Sequence, residues 1–261
     1  MLAMKRRLVA LGGTILLLLA SAGACGDDSG GSDGAGGEVT LTVYAAASLT
    51  KTFEEIGEEF EKEHDGVNVE FSFGGSSDLV SQLQEGAPAD VFASADEANM
   101  EKLTAAGLQA GEPQPFASNT LEIVTPPDNP AGISSFADLA KDGVNVVVCS
   151  PQVPCGAATA KAEDATGVTL SPVSEEQSVT DVLAKVTSGE ADAGLVYVTD
   201  VAAAGDSVLG VPFPESGDVV NTYPIVALED SDHGDLAQAF VELVLGETGQ
   251  GILEQAGFGR P

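Results

Sequence analysis

The sequence predicts an α/β protein in which helices cover a mostly parallel sheet, and three features support that class. Short apolar runs typical of buried strands alternate with longer amphipathic segments typical of helices along most of the chain. Hydrophobic residues make up 43% of the 261 residues, which is enough to build a substantial core. Turns rich in glycine, serine and alanine join strands to the helices that follow them.

The first strand and helix are the most clearly patterned. Residues 41–45 form an apolar run of the kind that lies in a buried strand. The next segment, residues 49–64, places Phe53, Ile56 and Phe60 on one face of a helix, with glutamates on its other faces. A strand followed directly by an amphipathic helix is the repeating unit of a helix-covered parallel sheet.

The rest of the chain continues this alternation. Further strands are predicted at residues 67–73, 90–94, 121–124, 144–149, 193–197 and 219–228. Further helices are predicted at residues 76–85, 100–106, 135–141, 155–163, 178–187, 234–245 and 248–256. Several helices therefore begin close to strand ends, at Ser48, Ser76, Cys155 and Val179. Ligands of open α/β sheets bind at that edge, where helix N-termini offer free N–H groups and partial positive charge that favour an anion.

The first 24 residues are predicted to be a signal peptide. Basic residues 5–7 precede an apolar run at residues 8–20, which is too short to span a bilayer comfortably. The small residues before Cys25 resemble a bacterial lipobox, which implies cleavage before Cys25 and its lipidation. An ordinary signal peptide with a free Cys25 is the alternative. Residues 25–38, mostly Gly, Asp, Ser and Ala, are predicted to form a flexible tether.

The chain is strongly acidic. Its 10 Lys and Arg residues face 41 Asp and Glu residues, which gives a net charge of −31. Removal of the signal peptide takes away three cations, so the remaining seven against 41 acidic residues leave −34. This charge disfavours binding to nucleic acid and to anionic membranes. If the protein binds an anion, neutral donors and helix ends must hold it, because few cations are present.

The cysteines fall into two groups. If Cys25 is lipidated, Cys149 and Cys155 remain as a pair in an oxidising compartment. They lie six residues apart, a spacing that a turn can close, so a disulfide is predicted, with two small buried thiols as the alternative. His64 and His233 are too few, and their surroundings too polar, to indicate a metal site.

Three segments carry a resemblance to a known family. They are AAASLT at residues 45–50, APADVFASAD at residues 87–96 and GLVYVTD at residues 194–200. In this order they resemble the periplasmic molybdate-binding proteins of ABC importers, and the likeness extends, with gaps, from about residue 39 to residue 259.

The resemblance implies the two-lobed periplasmic-binding-protein fold. Each lobe is then a mixed, mostly parallel sheet flanked by helices, and the ligand cleft lies between the lobes. Lobe I would comprise residues 39–119 and 224–261, and lobe II residues 120–223. Two crossover strands would join them.

The resemblance also implies a five-point site for an oxyanion. Hydroxyl donors fall on Ser48, Ser76 and Tyr197, and backbone N–H donors fall on Cys155 and Val179. All five donors are neutral, in agreement with the charge of the chain. The three hydroxyl positions also have an ordinary structural explanation, because serine is a common helix N-cap and tyrosine a common core residue.

Three positions near this site stay open at the level of sequence. Ser77 competes with Ser76 for the second hydroxyl role, and the second N–H donor could lie one residue from Val179. Asp78 is expected to cap its helix rather than face the ligand, since a carboxylate beside a dianion is repulsive.

The function implied by the resemblance is binding without catalysis. A monomer anchored to the outer face of the cell membrane through lipidated Cys25 would capture molybdate or tungstate, without a cofactor, and pass it to the transmembrane subunits of an ABC permease. Metal would enter only as the oxyanion. Sulfate or another small tetrahedral oxyanion is the alternative ligand. A serine hydrolase is disfavoured because neither histidine has a supported partner and no GxSxG motif occurs. A structural or adhesive lipoprotein is a further alternative.

Overall fold

Residues 38–261 are described by the structure, a computed structural model. The predicted signal peptide, Cys25 and all of the predicted tether except Glu38 lie outside the described residues. None of the helices within residues 38–261 combines the length and the apolar character that a membrane crossing requires.

Strands and helices alternate through this part of the chain. The strands are β1 (Val39–Ala46), β2 (Val67–Gly74), β3 (Val91–Ala93), β4 (Gln109–Thr125), β5 (Val146–Cys149), β6 (Ser174–Glu176), β7 (Ala193–Tyr197), β8 (Leu209–Val211) and β9 (Val220–Leu228). The α-helices are α1 (Thr50–Glu63), α2 (Ser76–Gln84), α3 (Glu97–Ala105), α4 (Pro154–Thr166), α5 (Val179–Thr187), α6 (Val198–Ala204), α7 (Gly234–Leu245) and α8 (Glu247–Gln255). The predicted α/β class is confirmed.

The strands form one continuous sheet in the order β2-β1-β3-β9-β4-β7-β5-β6, with β8 paired to β4. We call β2, β1, β3 and β9 half-sheet A, and β7, β5, β6 and β8 half-sheet B. Pairing is parallel between β1 and its neighbours β2 and β3, and between β5 and its neighbours β6 and β7. It is antiparallel around β9 and β4, so the sheet is mixed.

Strand β4 connects the two half-sheets. Its first part, as far as Thr120, pairs with β9, and from Leu121 onward it pairs with β7 and β8. A single strand therefore runs from half-sheet A into half-sheet B, and β9 lies beside it. The predicted lobe boundaries within this region remain predictions.

The apolar face of α1 fixes that helix on the sheet. Phe53, Ile56 and Phe60 are fully buried, as their helical spacing predicts. The ring of Phe240 on α7 lies 6.0 Å from that of Phe53 and 5.4 Å from that of Phe60, measured between centroids. Burial stabilises the fold by about 1.5–3 kcal/mol for each such side chain. The amino end of α1, next to Ser48, is thereby held at the edge of the sheet.

Several elements differ from the sequence prediction. The first twelve residues of β4 were not expected to be a strand, because Gly111, Pro113 and Pro115 interrupt the pattern; they pair with irregular register. Neither β6 nor β8, of three residues each, nor α6 was predicted. The helix expected at residues 135–141 is a 3-10 helix at Phe136–Ala140.

Candidate functional site

A small cavity lies where strands of both half-sheets end. Its lining consists of Ala46, Ala47, Ser48, Gly74, Gly75, Ser76, Ala95, Val153, Pro154, Cys155, Val179 and Tyr197. All five residues predicted to hold an oxyanion are in this set. The cavity volume is about 10 Å³, roughly the space that one water molecule needs and far below the roughly 300–1,000 Å³ of pockets for larger organic ligands. An ion of several atoms therefore fits only if the two walls of the cavity separate.

Half-sheet A contributes two serines to the lining. Ser48 lies in the 3-10 turn between β1 and α1, and its Oγ is 3.0 Å from the hydroxyl of Tyr223. Ser76 is the first residue of α2 and is 1% exposed; its Oγ accepts a hydrogen bond from the N–H of Ala95 at 3.0 Å. Neither serine hydroxyl caps its helix. The capping explanation therefore does not account for either residue.

Of the three consecutive residues Ser76, Ser77 and Asp78, only Ser76 lines the cavity. Ser77 is buried but does not line the cavity, and its Oγ has no hydrogen-bond partner among the described residues. Asp78 is exposed and also stays outside the lining, as predicted. The expected capping role of Asp78 is wrong, because α2 has no side-chain cap and its N-cap residue is Gly75.

Half-sheet B contributes the first turns of two helices. Pro154, which has no N–H, begins α4, so Cys155 presents the first N–H of that turn. Val179 begins α5, directly after its N-cap Ser178. Within residues 38–261, neither the Cys155 N–H nor the Val179 N–H has a hydrogen-bond acceptor outside its own helix. The first N–H groups of a helix have no acceptor within it, so both are available to a ligand.

A disulfide joins Cys149 to Cys155, as the sequence predicted. The two Cα atoms are 5.6 Å apart. The bond ties the last residue of β5 to the first turn of α4. Gly156 packs tightly in the same turn, where a Cβ atom would collide with the carbonyl oxygen of Ser150. The position of the Cys155 N–H is thus constrained by a covalent bond and by close packing.

Tyr197 closes the set of five. Its side chain is 1% exposed and belongs to the core, and it also lines the cavity. The phenol oxygen accepts a hydrogen bond from Asn221 Nδ2 at 3.0 Å, while the Tyr197 N–H donates to Asp200 Oδ2 at 2.9 Å. The core explanation and the ligand explanation are therefore both compatible with the position of this side chain.

Raised pKa values keep Tyr197 and Tyr223 neutral. Burial raises the pKa of Tyr197 well above its usual value, and burial likewise raises the pKa of Tyr223. Burial also raises the pKa of the Asp200 carboxyl to about 7, although the hydrogen bond from the Tyr197 N–H opposes this shift. Both phenols consequently remain protonated donors at physiological pH.

The cavity carries no charged lining residue. The lysine that follows Ser48 most closely in sequence, Lys51, lies elsewhere: its Nζ donates to the carbonyl oxygen of Ala203 at 2.6 Å, at the end of α6. The donors that face the cavity are hydroxyl and N–H groups. This arrangement can bind an anion by hydrogen bonds and helix ends without a salt bridge.

Asn221 and Tyr223 support the site but were not predicted from the sequence. Both lie on β9 and contact the hydroxyls of Tyr197 and Ser48, respectively. Nothing in the pattern of an apolar strand marks these two residues as parts of a site. Their contacts arise from the position of β9 between β3 and β4 in the middle of the sheet.

Comparisons with known proteins agree with this architecture. Residues 41–259 match the family described as bacterial extracellular solute-binding protein. The chain is 52% identical to a molybdate-binding protein of Mycobacterium tuberculosis, over 94% of this chain and 95% of that one. It is 31% identical to a molybdate-binding protein of Escherichia coli, over 85% of this chain and 89% of that one. The solved structure of the periplasmic molybdate-binding protein of Azotobacter vinelandii is similar, with a TM-score of 0.74 and 25% identity, covering 85% of this chain and 99% of that chain. The predicted two-lobed periplasmic-binding-protein fold is thereby confirmed.

Proposed function

Since this chain belongs to the family of bacterial extracellular solute-binding proteins, whose role is binding without catalysis, we propose that it captures molybdate or tungstate. The observation that carries this proposal is the convergence of five neutral donors on one compact, uncharged cavity. The donors are the hydroxyls of Ser48, Ser76 and Tyr197 and the N–H groups of Cys155 and Val179.

The chemistry of these donors matches a fully deprotonated tetrahedral dianion. Such an ion offers only acceptor oxygens, and every group proposed to contact it can donate. Helix N-termini at Ser76, Cys155 and Val179 add partial positive charge, which stabilises an anion without a counter-cation. The relatives from M. tuberculosis and E. coli carry the name of molybdate-binding proteins, which supports the same ligand.

The family and the predicted signal peptide support a cellular role for the protein. The protein would be anchored to the outer face of the cell membrane through lipidated Cys25 and would act as a monomer. The tether predicted at residues 25–38 would hold the domain clear of the lipid. The closed, loaded domain would then deliver the ion to the transmembrane subunits of an ABC permease.

Sulfate is the second candidate ligand, because the smaller ion requires less widening of a cavity of about 10 Å³. Sulfate is also a dianion with acceptor oxygens only, so the donor set does not distinguish it from molybdate. The difference between them is size, which decides how closely the two halves of the cavity can approach.

Titration of the purified protein with molybdate, tungstate and sulfate tests this proposal. Calorimetry measures the affinity, and fluorescence reports on the cavity, because the chain has three tyrosines and no tryptophan and Tyr197 lies in the lining. We expect saturable binding of molybdate and tungstate and weaker binding of sulfate. Tight sulfate binding without a molybdate response would replace molybdate by sulfate as the ligand. Binding of none of the three would overturn the proposal.

A further inference from the structure

Three contacts beside the cavity join its two walls. Gly75 packs against the backbone just before α5, and Asn99 Nδ2 donates to the carbonyl oxygen of Gln152 at 3.4 Å. The third contact is the hydrogen bond of 2.6 Å from Lys51 Nζ to the carbonyl oxygen of Ala203. An ion can enter or leave only when the walls separate, because the cavity volume is about 10 Å³. A contact that opposes this separation therefore also retains an ion that is already bound.

The contact of Lys51 differs from the other two because its donor is charged. Ala203 is the next-to-last residue of α6. The last carbonyl groups of a helix have no N–H partner within the helix and carry partial negative charge, so a lysine at that end is stabilising. Here the lysine belongs to α1, which follows β1 of half-sheet A, whereas α6 follows β7 of half-sheet B. A cation on one wall thus binds the end of a helix on the other.

The two partners of this bond are close in the chain to two of the proposed ligand donors. Lys51 follows Ser48 by three residues, at the start of α1. Tyr197 is the N-cap of α6, so this helix begins at the cavity and ends at Ala203. Lys51 and Ala203 line, together with Ser48, a groove of about 290 Å³, but neither residue lines the cavity itself. Lys51 can therefore hold the walls together without contacting the ion.

We propose that the bond from Lys51 to Ala203 is a latch between α1 and α6, and that Lys51 is the positioning residue that sets how long an ion stays in the cavity. The inference rests on the proposed function of the cavity. The ion enters while the walls are apart, so the latch forms after entry and opposes departure. Its loss raises the dissociation rate constant and leaves the association rate constant nearly unchanged.

Lys51→Met is the test variant, because it keeps most of the length of the side chain and removes the charged donor. Stopped-flow tyrosine fluorescence gives the association rate constant for molybdate, calorimetry gives the dissociation constant, and their product is the dissociation rate constant. We expect the dissociation rate constant to rise about fivefold, the effect of one exposed hydrogen bond from a charged donor. The factor should be the same for sulfate, since neither ion contacts the altered atoms.

Lys51→Arg is the rescue variant. It keeps a charged donor of similar reach, and one carbonyl oxygen does not require a particular shape of cation. We expect its dissociation rate constant to lie within about twofold of the wild type. A rate constant as high as that of Lys51→Met would show that the charged donor is not what retains the ion.

Lys62→Met is the matched control. Lys62 lies on the same helix, and its Nζ is 2.8 Å from Glu59 Oε1, also on α1. The substitution changes the net charge by the same amount as Lys51→Met but removes no contact between the walls. Both rate constants should therefore stay close to those of the wild type. A loss equal to that of Lys51→Met would trace the effect to net charge and would overturn the latch.

Ionic strength supplies a second readout that a merely structural role of Lys51 would not change. Lys51 and Ala203 are both exposed, and dissolved ions screen the attraction between a cation and a helix end. The ratio of the dissociation rate constants of Lys51→Met and the wild type should be largest at low salt and fall toward one at about 1 M salt. A ratio that is independent of salt would contradict a charged latch.

The outcomes distinguish this inference from the proposed function. If the wild type binds no tetrahedral oxyanion, both fall together. If it binds molybdate and Lys51→Met releases the ion at the wild-type rate, only the inference falls. Slower association with unchanged dissociation would show that Lys51 attracts the ion rather than retains it, and would also overturn the latch. Thermal unfolding of the empty variants checks their fold, and Lys51→Gln serves as the test variant if Lys51→Met does not fold.

Discussion

The two half-sheets build the cavity in different ways. Half-sheet A places only side-chain hydroxyls, those of Ser48 and Ser76, at the ends of β1 and β2. Half-sheet B places the backbone N–H groups of Cys155 and Val179 at the starts of two helices, and adds one hydroxyl, that of Tyr197 at the end of β7. One substitution removes a hydroxyl, but every residue except proline retains the N–H. The donors of half-sheet A are therefore sensitive to residue identity, whereas those of half-sheet B, apart from Tyr197, are sensitive to backbone geometry.

Gly75→Ala changes the contact between the two half-sheets, and we expect it to have the largest effect on molybdate affinity. A Cβ atom at Gly75 would collide with the carbonyl oxygen of Gln177, just before α5. The two sets of donors could then no longer converge on one ion. Molybdate affinity, measured by calorimetry, should fall about a hundredfold, or about 3 kcal/mol, the upper end of ordinary single-substitution effects.

Gly74→Ala is the control for this change. Gly74 also lines the cavity, but a Cβ atom there would meet only the Leu79 side chain, at 3.4 Å, an ordinary contact. Its affinity should stay close to that of the wild type. Similar losses in the two variants would show that the steric argument is incorrect.

Removal of single hydroxyls measures the contribution of each side chain to molybdate affinity. Ser48→Ala, Ser76→Ala and Tyr197→Phe should each weaken molybdate binding by about 1–3 kcal/mol, the cost of leaving part of a charge without a hydrogen bond. Ser77→Ala is the matched control, because Ser77 is buried beside Ser76 but lies outside the cavity lining. Unchanged affinity in all three test variants, measured by the same titration, would refute the proposed site.

Removal of the disulfide tests the backbone donors of half-sheet B. In a Cys149→Ala, Cys155→Ala double variant the N–H at position 155 remains, so molybdate affinity should fall only a few-fold. The free energy of unfolding should fall by about 2 kcal/mol, because a loop of this length loses its covalent closure. Denaturant unfolding and titration measure the two quantities. A complete loss of binding would show that the bond does more than stabilise the turn.

The buried carboxyl of Asp200 predicts a dependence of stability on pH. Burial raises its pKa in the folded protein to about 7 from the 3.8 of a free side chain, so the folded state holds the proton more tightly. Its contribution to stability is complete at pH below about 4 and is lost as the pH rises through about 7. Asp200→Asn should therefore lose less stability than the wild type between these limits in denaturant unfolding. An equal change of stability with pH in the two proteins would contradict the raised pKa of Asp200.

The family resemblance placed five residues together that the structure also brings together. Ser48, Ser76, Cys155, Val179 and Tyr197 were predicted from the family resemblance, and the structure brings all of them to one cavity. Their placement depends on local order, namely a strand, a tight turn and a helix start. The disulfide was predictable for the same reason, since six residues and one turn separate its ends.

Long-range register explains what the sequence could not predict. Asn221 and Tyr223 reach Tyr197 and Ser48 because β9 pairs with β3 and β4 in the middle of the sheet. No local pattern encodes that pairing. The first part of β4 was hidden for a related reason, because its prolines and glycine are tolerated only through irregular pairing with β9.

The contrast between an acidic surface and an uncharged cavity governs the speed of ligand capture. With a net charge of −31, the protein repels a dianion at long range, and the neutral donors attract it only at contact. Dissolved salt screens that repulsion over about 8 Å at physiological ionic strength. We therefore expect the association rate constant to rise as salt is added, the reverse of electrostatically steered binding, and stopped-flow mixing at several ionic strengths would measure it.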